Sequence, residues 1–377
     1  MIEPATVDEV AAILVRASAN GERVRVRGSG TKLDWGEPQA ADVDVAMTRL
    51  NAVVAHRHGD LTATIQAGAR LGEVNRTLAA HGQWLPLDPP FADRATIGGV
   101  IATNDSGPRR HRYGAPRDLI IGVDFVRADG VRAKAGGIVV KNVAGYDLAR
   151  LMTGSFGTLA VVTSATFKLF PIPAASQTVV FDGSIAELGA IASTIASGHL
   201  TPTAIDIHAA SREGSRLLVR FESTETAAAE QAGRVATLAP SPTIAAGQRE
   251  TELWQLHDAH IWNASGIVVK ATMLPADVTP TIAWIADVLS DADWTATGRA
   301  ALGVLLVRVD AARARQAAFV RDLRARFAPG RGNAAMLRAS DDLKREVGVW
   351  GAIGNSRAVM TAIKKQFDPA GILPSHF

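Results

Sequence analysis

Apolar positions near the start of the chain recur at helical intervals: Val10, Ile13 and Leu14 follow Thr6 and Glu9, which stand at capping-box spacing. This predicts a first helix running to about Ser18. After Asn20-Gly21 the period changes to two. Arg23-Val-Arg-Val-Arg27 alternates charged and apolar residues, a strand that delivers Gly28-Ser-Gly-Thr31 at its end. Leu61-Thr-Ala-Thr-Ile-Gln66 alternates again, and Leu71, Val74 and Leu78 then share one helical face. From Asp118 to Val131 the alternation of Ile120, Val123, Phe125 and Val126 ends at Asp129-Gly130, a strand entering a hairpin turn. Lys141 to Val162 supplies a helix-like piece and the turn Gly154-Ser-Phe-Gly157, which leads into a strand from Leu159 to Thr166.

Pro171 and Pro173 close this region, so a domain boundary is expected near residue 173. Beyond it the chain is richer in alanine. Helical windows at 185–197, 225–237, 277–290 and 311–327 alternate with strand-like runs at 204–208, 216–221, 266–272 and 302–309. Such mixing predicts a separate α+β layer. Val359, Ile363 and Phe367, four residues apart, predict a last helix stopped by Asp368-Pro369 and Gly371.

A chain of 377 residues is long for one domain, and roughly two to three are expected. Its 40 basic and 37 acidic residues are scattered, a balance too mild to argue for nucleic acid. There are no cysteines. That removes disulfides, iron–sulfur ligation, thiolate catalysis and a cysteinyl cofactor bond, so one-electron chemistry would need a bound organic cofactor or another subunit. The first ten residues are acidic where a signal peptide is basic. The uncharged run from Leu151 to Phe167 reads as a buried strand-turn-strand and not as a membrane span. A cytoplasmic protein is the expectation, with any membrane association through partner subunits.

The stretch with most chemical content runs from Pro86 to Gly107. It sets Gly98 beside Gly99 in a charge-poor run that opens onto Thr103, Asn104, Ser106 and Gly107. Paired glycines let main chain approach a ligand closely, and small hydroxyl and amide side chains offer donors without filling the space of a ring system. The competing reading is a buried strand followed by a turn. The loop Arg27-Gly-Ser-Gly-Thr-Lys32 follows a strand, and successive amides in such a turn form an anion-binding concavity. It lacks the third glycine of the dinucleotide fingerprint, since Leu33 stands there, and no Walker loop occurs. Alone, it reads equally as a surface turn.

Arg27 to Lys32, Pro89 to Gly107, Arg112-Tyr-Gly114, Lys141 to Leu148, Gly154-Ser-Phe-Gly-Thr-Leu159 and Phe367 to Leu373 form an ordered set. In that set the chain resembles the FAD-binding family of the vanillyl-alcohol oxidase and p-cresol methylhydroxylase type, and within it the FAD-binding subunits of glycolate oxidases. The resemblance implies an α+β chain with an FAD-binding domain in two parts over 1–173. A second α+β, cap-like domain would span 174–328, and a C-terminal segment, 329–377, would return to the first. It places Arg27, Gly28, Ser29, Gly30 and Thr31 at the FAD pyrophosphate. Pro89, Thr96, Ile97, Gly98, Gly99, Ala102, Thr103, Asn104, Ser106 and Gly107 would line the ribityl chain and isoalloxazine ring. Tyr113-Gly114 would form an ordered turn beside the cofactor. Gly154, Ser155, Gly157, Thr158, Leu159 and Val162 would sit by the adenine end and the flavin. Backbone amides near the edge where charge accumulates on reduction suit such a ring. Relatives that tether FAD through histidine carry it beside the first-loop glycines. Here the loop reads Ser29-Gly30-Thr31-Lys32, so FAD is expected to be held non-covalently.

Relatives that oxidise 2-hydroxy acids carry a Glu-His-Gly element before the C-terminal helix, where this chain has Val347 to Gly354 with Trp350 and no histidine. They also have Gly-Ser-Glu-Gly where Phe156 stands here. Hydride removal from a hydroxy acid needs a base for the hydroxyl proton and a cation for the carboxylate, and the sequence assigns neither. His257 and His260, three apart, have a spacing compatible with metal ligation but read better as a surface helix pair, His56 and His58 as part of a polar turn, Trp254 and Trp262 as core or interface, and His111 as solvent-facing ahead of facing the flavin or a substrate anion; no metal site is assigned. The expectation is an FAD-binding subunit of a glycolate (2-hydroxy acid) oxidase complex with a second flavoprotein subunit and an iron–sulfur subunit. The alternatives are a non-catalytic FAD-holding assembly or regulatory subunit and a stand-alone alcohol oxidase.

Overall fold

The computed structural model describes residues 1–138 and 145–375; Lys141 to Ala144, the start of one motif in the resemblance, lie outside them. The first helix runs over Val7–Asn20. The Thr6 hydroxyl accepts the Glu9 N–H at 3.2 Å, Glu9 accepts the Ala5 N–H at 2.7 Å, and Gly21 ends the helix at φ 67°. The helix buries Val10, Leu14 and Ala17 against a parallel pair of strands, Val24–Arg27 and Val43–Ala46.

Next comes an antiparallel sheet of five strands in the order Val53–Arg57, Thr62–Gln66, Ala160–Lys168, Ile120–Arg127, Arg132–Gly136. Leu71–Ala79 packs Leu71, Val74 and Leu78 into its core as their spacing predicts. The Gly98-Gly99 segment is neither strand nor turn. It is the first turn of a helix, Ile97–Thr103, capped by Thr96, with Ile97, Val100 and Ile101 buried. The Leu151–Phe167 run is likewise the end of a helix, Leu148–Met152, then a turn and the strand Ala160–Lys168, in place of strand-turn-strand.

The third layer is an antiparallel sheet of eight strands, ordered Thr243–Ala246, Ala175–Gly183, Ser215–Ser223, Ala204–Ala210, Asp293–Arg299, Val304–Asp310, Ile267–Thr272, Asn333–Arg338. Its alternation separates two faces. Ile205, Ile207, Leu217, Val219, Val269 and Val307 lie under the helices Ile185–Ser197, Glu225–Ala236, Val278–Val288, Arg313–Ala325 and Asp341–Val347. The opposite face carries Thr178, Asp206, His208, Arg220, Glu222, Arg299 and Arg308. All are buried, because the helix Gly247–Trp262 and the segment around Ser106 and Arg109 lie over them.

The last strand of this sheet, Asn333–Arg338, lies beyond residue 328. The chain then returns to the first layers. Ser356–Phe367 sets Ile363 and Phe367 against the five-stranded sheet's core, and Ile372 and Leu373 join the cluster of Val10, Leu14 and Val24. The Val24 N–H donates to the Ile372 carbonyl at 2.7 Å. Among the described residues no helix is long and apolar enough to cross a membrane.

Candidate functional site

Two glycine turns, at Gly28 and at Gly154, meet at the helix Ile97–Thr103, whose own first turn holds Gly98 and Gly99. A Cβ built on Gly28 would lie 1.9 Å from the Thr96 Oγ1, so only glycine lets the first loop come this close to the helix cap. At the other end of the helix the Gly154 N–H donates to the Ile101 carbonyl at 2.9 Å and the Phe156 N–H to the Ala102 carbonyl at 2.8 Å. The two central glycines differ in duty. A Cβ on Gly98 would press on Ala67, at 3.0 Å from its Cβ and 3.1 Å from its carbonyl, whereas one on Gly99 would meet only the Thr96 Oγ1, at 3.4 Å. Gly98 serves packing, and Gly99 faces open space.

That space is a cleft of about 560 Å³ bordered by Arg27, Gly28, Ser29, Gly30, Thr31, Thr96, Gly99, Ala102 and Thr103. A second cleft of about 440 Å³ is bordered by Gly154, Ser155, Thr158 and Leu159, and Phe156 lines both. A glycine-walled cleft beside a loop of amides fits a flat dinucleotide. Other residues of the expected set lie off the two clefts. Pro89 and Ile97 are buried. The Asn104 amide oxygen accepts the Arg117 N–H at 3.3 Å, the Gly107 N–H donates to Asp88 at 3.0 Å, and the Ser106 carbonyl accepts from Arg299 at 3.1 Å. Tyr113, followed by the turn at Gly114, packs on Trp84 and Phe170 with ring centroids 5.8 and 5.1 Å away. Val162 and Gly157 border neither cleft.

Behind the first cleft, charged groups gather between the helix end and the polar face of the eight-stranded sheet. Lys32 and Asp105 pair at 2.8 Å with side chains only 5% and 7% exposed. Arg109 pairs with Glu222 at 2.7 Å and covers the Trp84 ring. The Asp88 carboxylate accepts the Gly107 and Arg109 N–H groups at 3.0 and 2.8 Å, yet burial pushes its pKa up to about 7 against the pull of Arg109. Burial also lowers the Lys270 amine, with Asp105 opposing and Arg299, Arg110 and Lys32 adding to the fall. These cations were missed in the sequence because the half-buried Lys270 and the buried Arg299 are lone charges in strands whose alternation is equally that of a solvated face. The signal, a charge amid Ile-Val-Val-Lys-Ala, is weak by itself.

The two departures from the family pattern touch one another: the Phe156 and Trp350 rings meet edge to face, centroids 4.9 Å apart. Phe156 is held at φ 54°, a left-handed conformation that bulky side chains rarely adopt. Trp254 and Trp262 are core residues as expected, Trp262 stacking on Trp35 at 5.3 Å. The histidines differ from expectation. His257 is not on a surface but buried, 2.9 Å from Asp206. His111 is half-buried, and burial lowers its pKa. His56 lies on a strand, beside His58 and His81, which stack at 4.6 Å.

Residues 1–147 match the family model of an FAD binding domain. This N-terminal stretch is similar to FAD binding domains. The chain is 38% identical over 181 residues to glycolate oxidase subunit GlcD of Bacillus subtilis, covering 48% of this chain and 38% of that protein. It is 37% identical over 182 residues to glycolate oxidase subunit GlcE of Escherichia coli, covering 48% of this chain and 51% of that one. A D-lactate dehydrogenase of Archaeoglobus fulgidus is 37% identical over 171 residues, 45% of this chain and 38% of that protein. The chain therefore matches about half or less of these relatives' own length. In fold it is similar to alkyldihydroxyacetonephosphate synthase, with a TM-score of 0.72 at 17% identity, over 98% of this chain and 76% of that one. The likeness in fold spans both large sheets, and the match of residues 1–147 to an FAD binding domain makes FAD the cofactor of the N-terminal part.

Proposed function

We propose that this chain is the FAD-binding subunit of a glycolate-type 2-hydroxy acid oxidoreductase complex, working beside a second flavoprotein subunit and an iron–sulfur subunit. The observation that carries the reading is the convergence of the Gly28 loop and the Gly154 turn on the helix Ile97–Thr103 with its own Gly98-Gly99, beside a cleft walled by Gly28 and Gly99. When bound, FAD supplies an acceptor for the two electrons of a hydroxy acid's C–H bond. Arg27 to Thr31 hold its pyrophosphate, Thr96, Gly99, Ala102 and Thr103 its ribityl and ring portions, and Gly154 to Leu159 flank it from the second cleft. Lys270 and Arg299 set positive charge behind that wall, where a small carboxylate would be held. The Phe156–Trp350 contact favours a partner subunit as the source of the base.

In this reading the FAD domain spans 1–173, the cap-like layer begins at 174, and the return segment begins after Asp341–Val347. The test is anaerobic addition of glycolate to the purified chain and to the assembled complex. Bleaching of the flavin in the complex alone is expected. Bleaching by the isolated chain would overturn the claim that its hydroxy-acid site is incomplete.

A further inference from the structure

His208 stands on the polar face of the eight-stranded sheet, only 2% exposed, and neither of its ring nitrogens has a hydrogen-bond partner among the described residues. A buried imidazole normally has at least one nitrogen satisfied. Its neighbours explain what is missing. The strand Ala204–Ala210 and the helix Gly247–Trp262 run past each other so that residues two apart on the strand meet residues three apart on the helix. At the first crossing Asp206 accepts from or donates to His257 at 2.9 Å, an acid matched to a base. At the second crossing two imidazoles face each other, His208 and His260, with ring centroids 4.7 Å apart and no acid between them.

The acid comes from a third element. Glu213, on the turn joining Ala204–Ala210 to Ser215–Ser223, brings a carboxylate oxygen 3.6 Å from the His208 Nε2. One ligand atom from each of His208, Glu213 and His260 lies within 4.8 Å of the other two. In a tetrahedral zinc site with bonds of roughly 2.0–2.1 Å, ligand atoms stand roughly 3.4 Å apart. The Glu213–His208 separation of 3.6 Å is already near that span, and a bound ion would draw the remaining atoms inward. The cations nearby are matched already: Arg216 faces Asp182 at 3.6 Å and Arg308 pairs with Asp293 at 2.8 Å.

We propose that His208, Glu213 and His260 form a divalent-metal site of zinc-type preference, with water completing the tetrahedron on the exposed side of Glu213. Two imidazoles and one carboxylate are a donor set for zinc and its first-row neighbours, too nitrogen-rich for calcium or magnesium. Bound there, the ion clasps the hairpin tip to the helix Gly247–Trp262. It satisfies a nitrogen of His208 that the fold otherwise leaves bare. The site is separate from the flavin clefts, none of whose lining residues it shares.

The test uses the full chain, stripped with a chelator, dialysed, and titrated with zinc chloride against a chromophoric competitor, with metal content read by mass spectrometry. One zinc per chain is expected. Glu213→Gln, at a half-exposed turn, and His260→Ala each weaken it roughly 100-fold or more, since removing even outer partners of a metal ligand costs 10–100-fold. His58→Ala and His81→Ala, a histidine pair on the five-stranded sheet's side of the molecule, leave it unchanged. Zinc raises the melting temperature of the wild type and not of Glu213→Gln, while circular dichroism and flavin content stay equal in all four variants. Absence of stoichiometric zinc, or zinc held equally by Glu213→Gln and His260→Ala, would overturn the proposal and leave the flavin reading untouched.

Discussion

Gly28 and Thr96, 68 residues apart in the chain, touch so closely that a Cβ on the glycine would lie 1.9 Å from the threonine hydroxyl oxygen and 2.8 Å from its Cβ. The contact fixes the first loop to the cap of the helix that walls the cleft.

Gly28→Ala is therefore expected to cost about 3 kcal/mol, the upper end for forcing a methyl into packed space, and to lower the flavin bound per chain. Because the clash is mainly with the hydroxyl, Thr96→Ala in the same chain recovers part of that loss. A double-mutant cycle in urea reads the coupling; additive effects would show that the loop and cap do not touch.

The C-terminal return hangs on Asp368. Its carboxylate, 3% exposed as a residue, accepts the Ile372 and Leu373 N–H groups at 3.0 and 2.8 Å and pairs with Lys364, whose amine also donates to the Thr158 carbonyl at 2.8 Å. Asp368→Asn leaves a buried ammonium without its counter-charge, at a cost of about 3 kcal/mol. The loss is expected as a shifted urea midpoint with unchanged slope, together with faster proteolysis after Phe367. A midpoint within error of wild type would contradict it.

The pH dependence has a definite sign at Asp88. Its pKa is pushed up to about 7 in the fold, against about 3.9 in an unfolded chain. Between these values the folded state holds a proton that the unfolded state has lost. Stability from this group is thus full below about pH 4 and falls as pH rises to about 7, by up to about 1.4 kcal/mol per pH unit. Asp88→Asn should flatten that slope in urea titrations from pH 5 to 7. A slope equal to wild type would assign the dependence elsewhere.

Much of this fold is written in apolar periodicity. The first helix, the strands around Val24 and Ile65, and the helical windows of the second layer stand where their spacing puts them, because each buries one face against one neighbour. The Gly98-Gly99 helix was not legible, since its sequence has low helical propensity and is held by Thr96 and by burial of Ile97, Val100 and Ile101. The site was half legible for a related reason. Alternation in Ala-Ile-Asp-Ile-His or Leu-Val-Arg-Phe-Glu says that one face is polar. It does not say whether water or another layer covers it, so the charges at Lys270 and Arg299 and the histidines at 208 and 257 emerged only when that layer was placed.

The most direct test of the central claim is the flavin-to-protein absorbance ratio of purified Gly99→Val beside Gly98→Ala and wild type. Gly99 opens on the cleft and Gly98 on the Ala67 backbone. Gly99→Val is predicted to fold, with the melting curve of FAD-stripped wild type, and to carry no FAD, whereas Gly98→Ala melts earlier than wild type in the same state. Gly99→Val protein that retains a full complement of FAD would contradict the account.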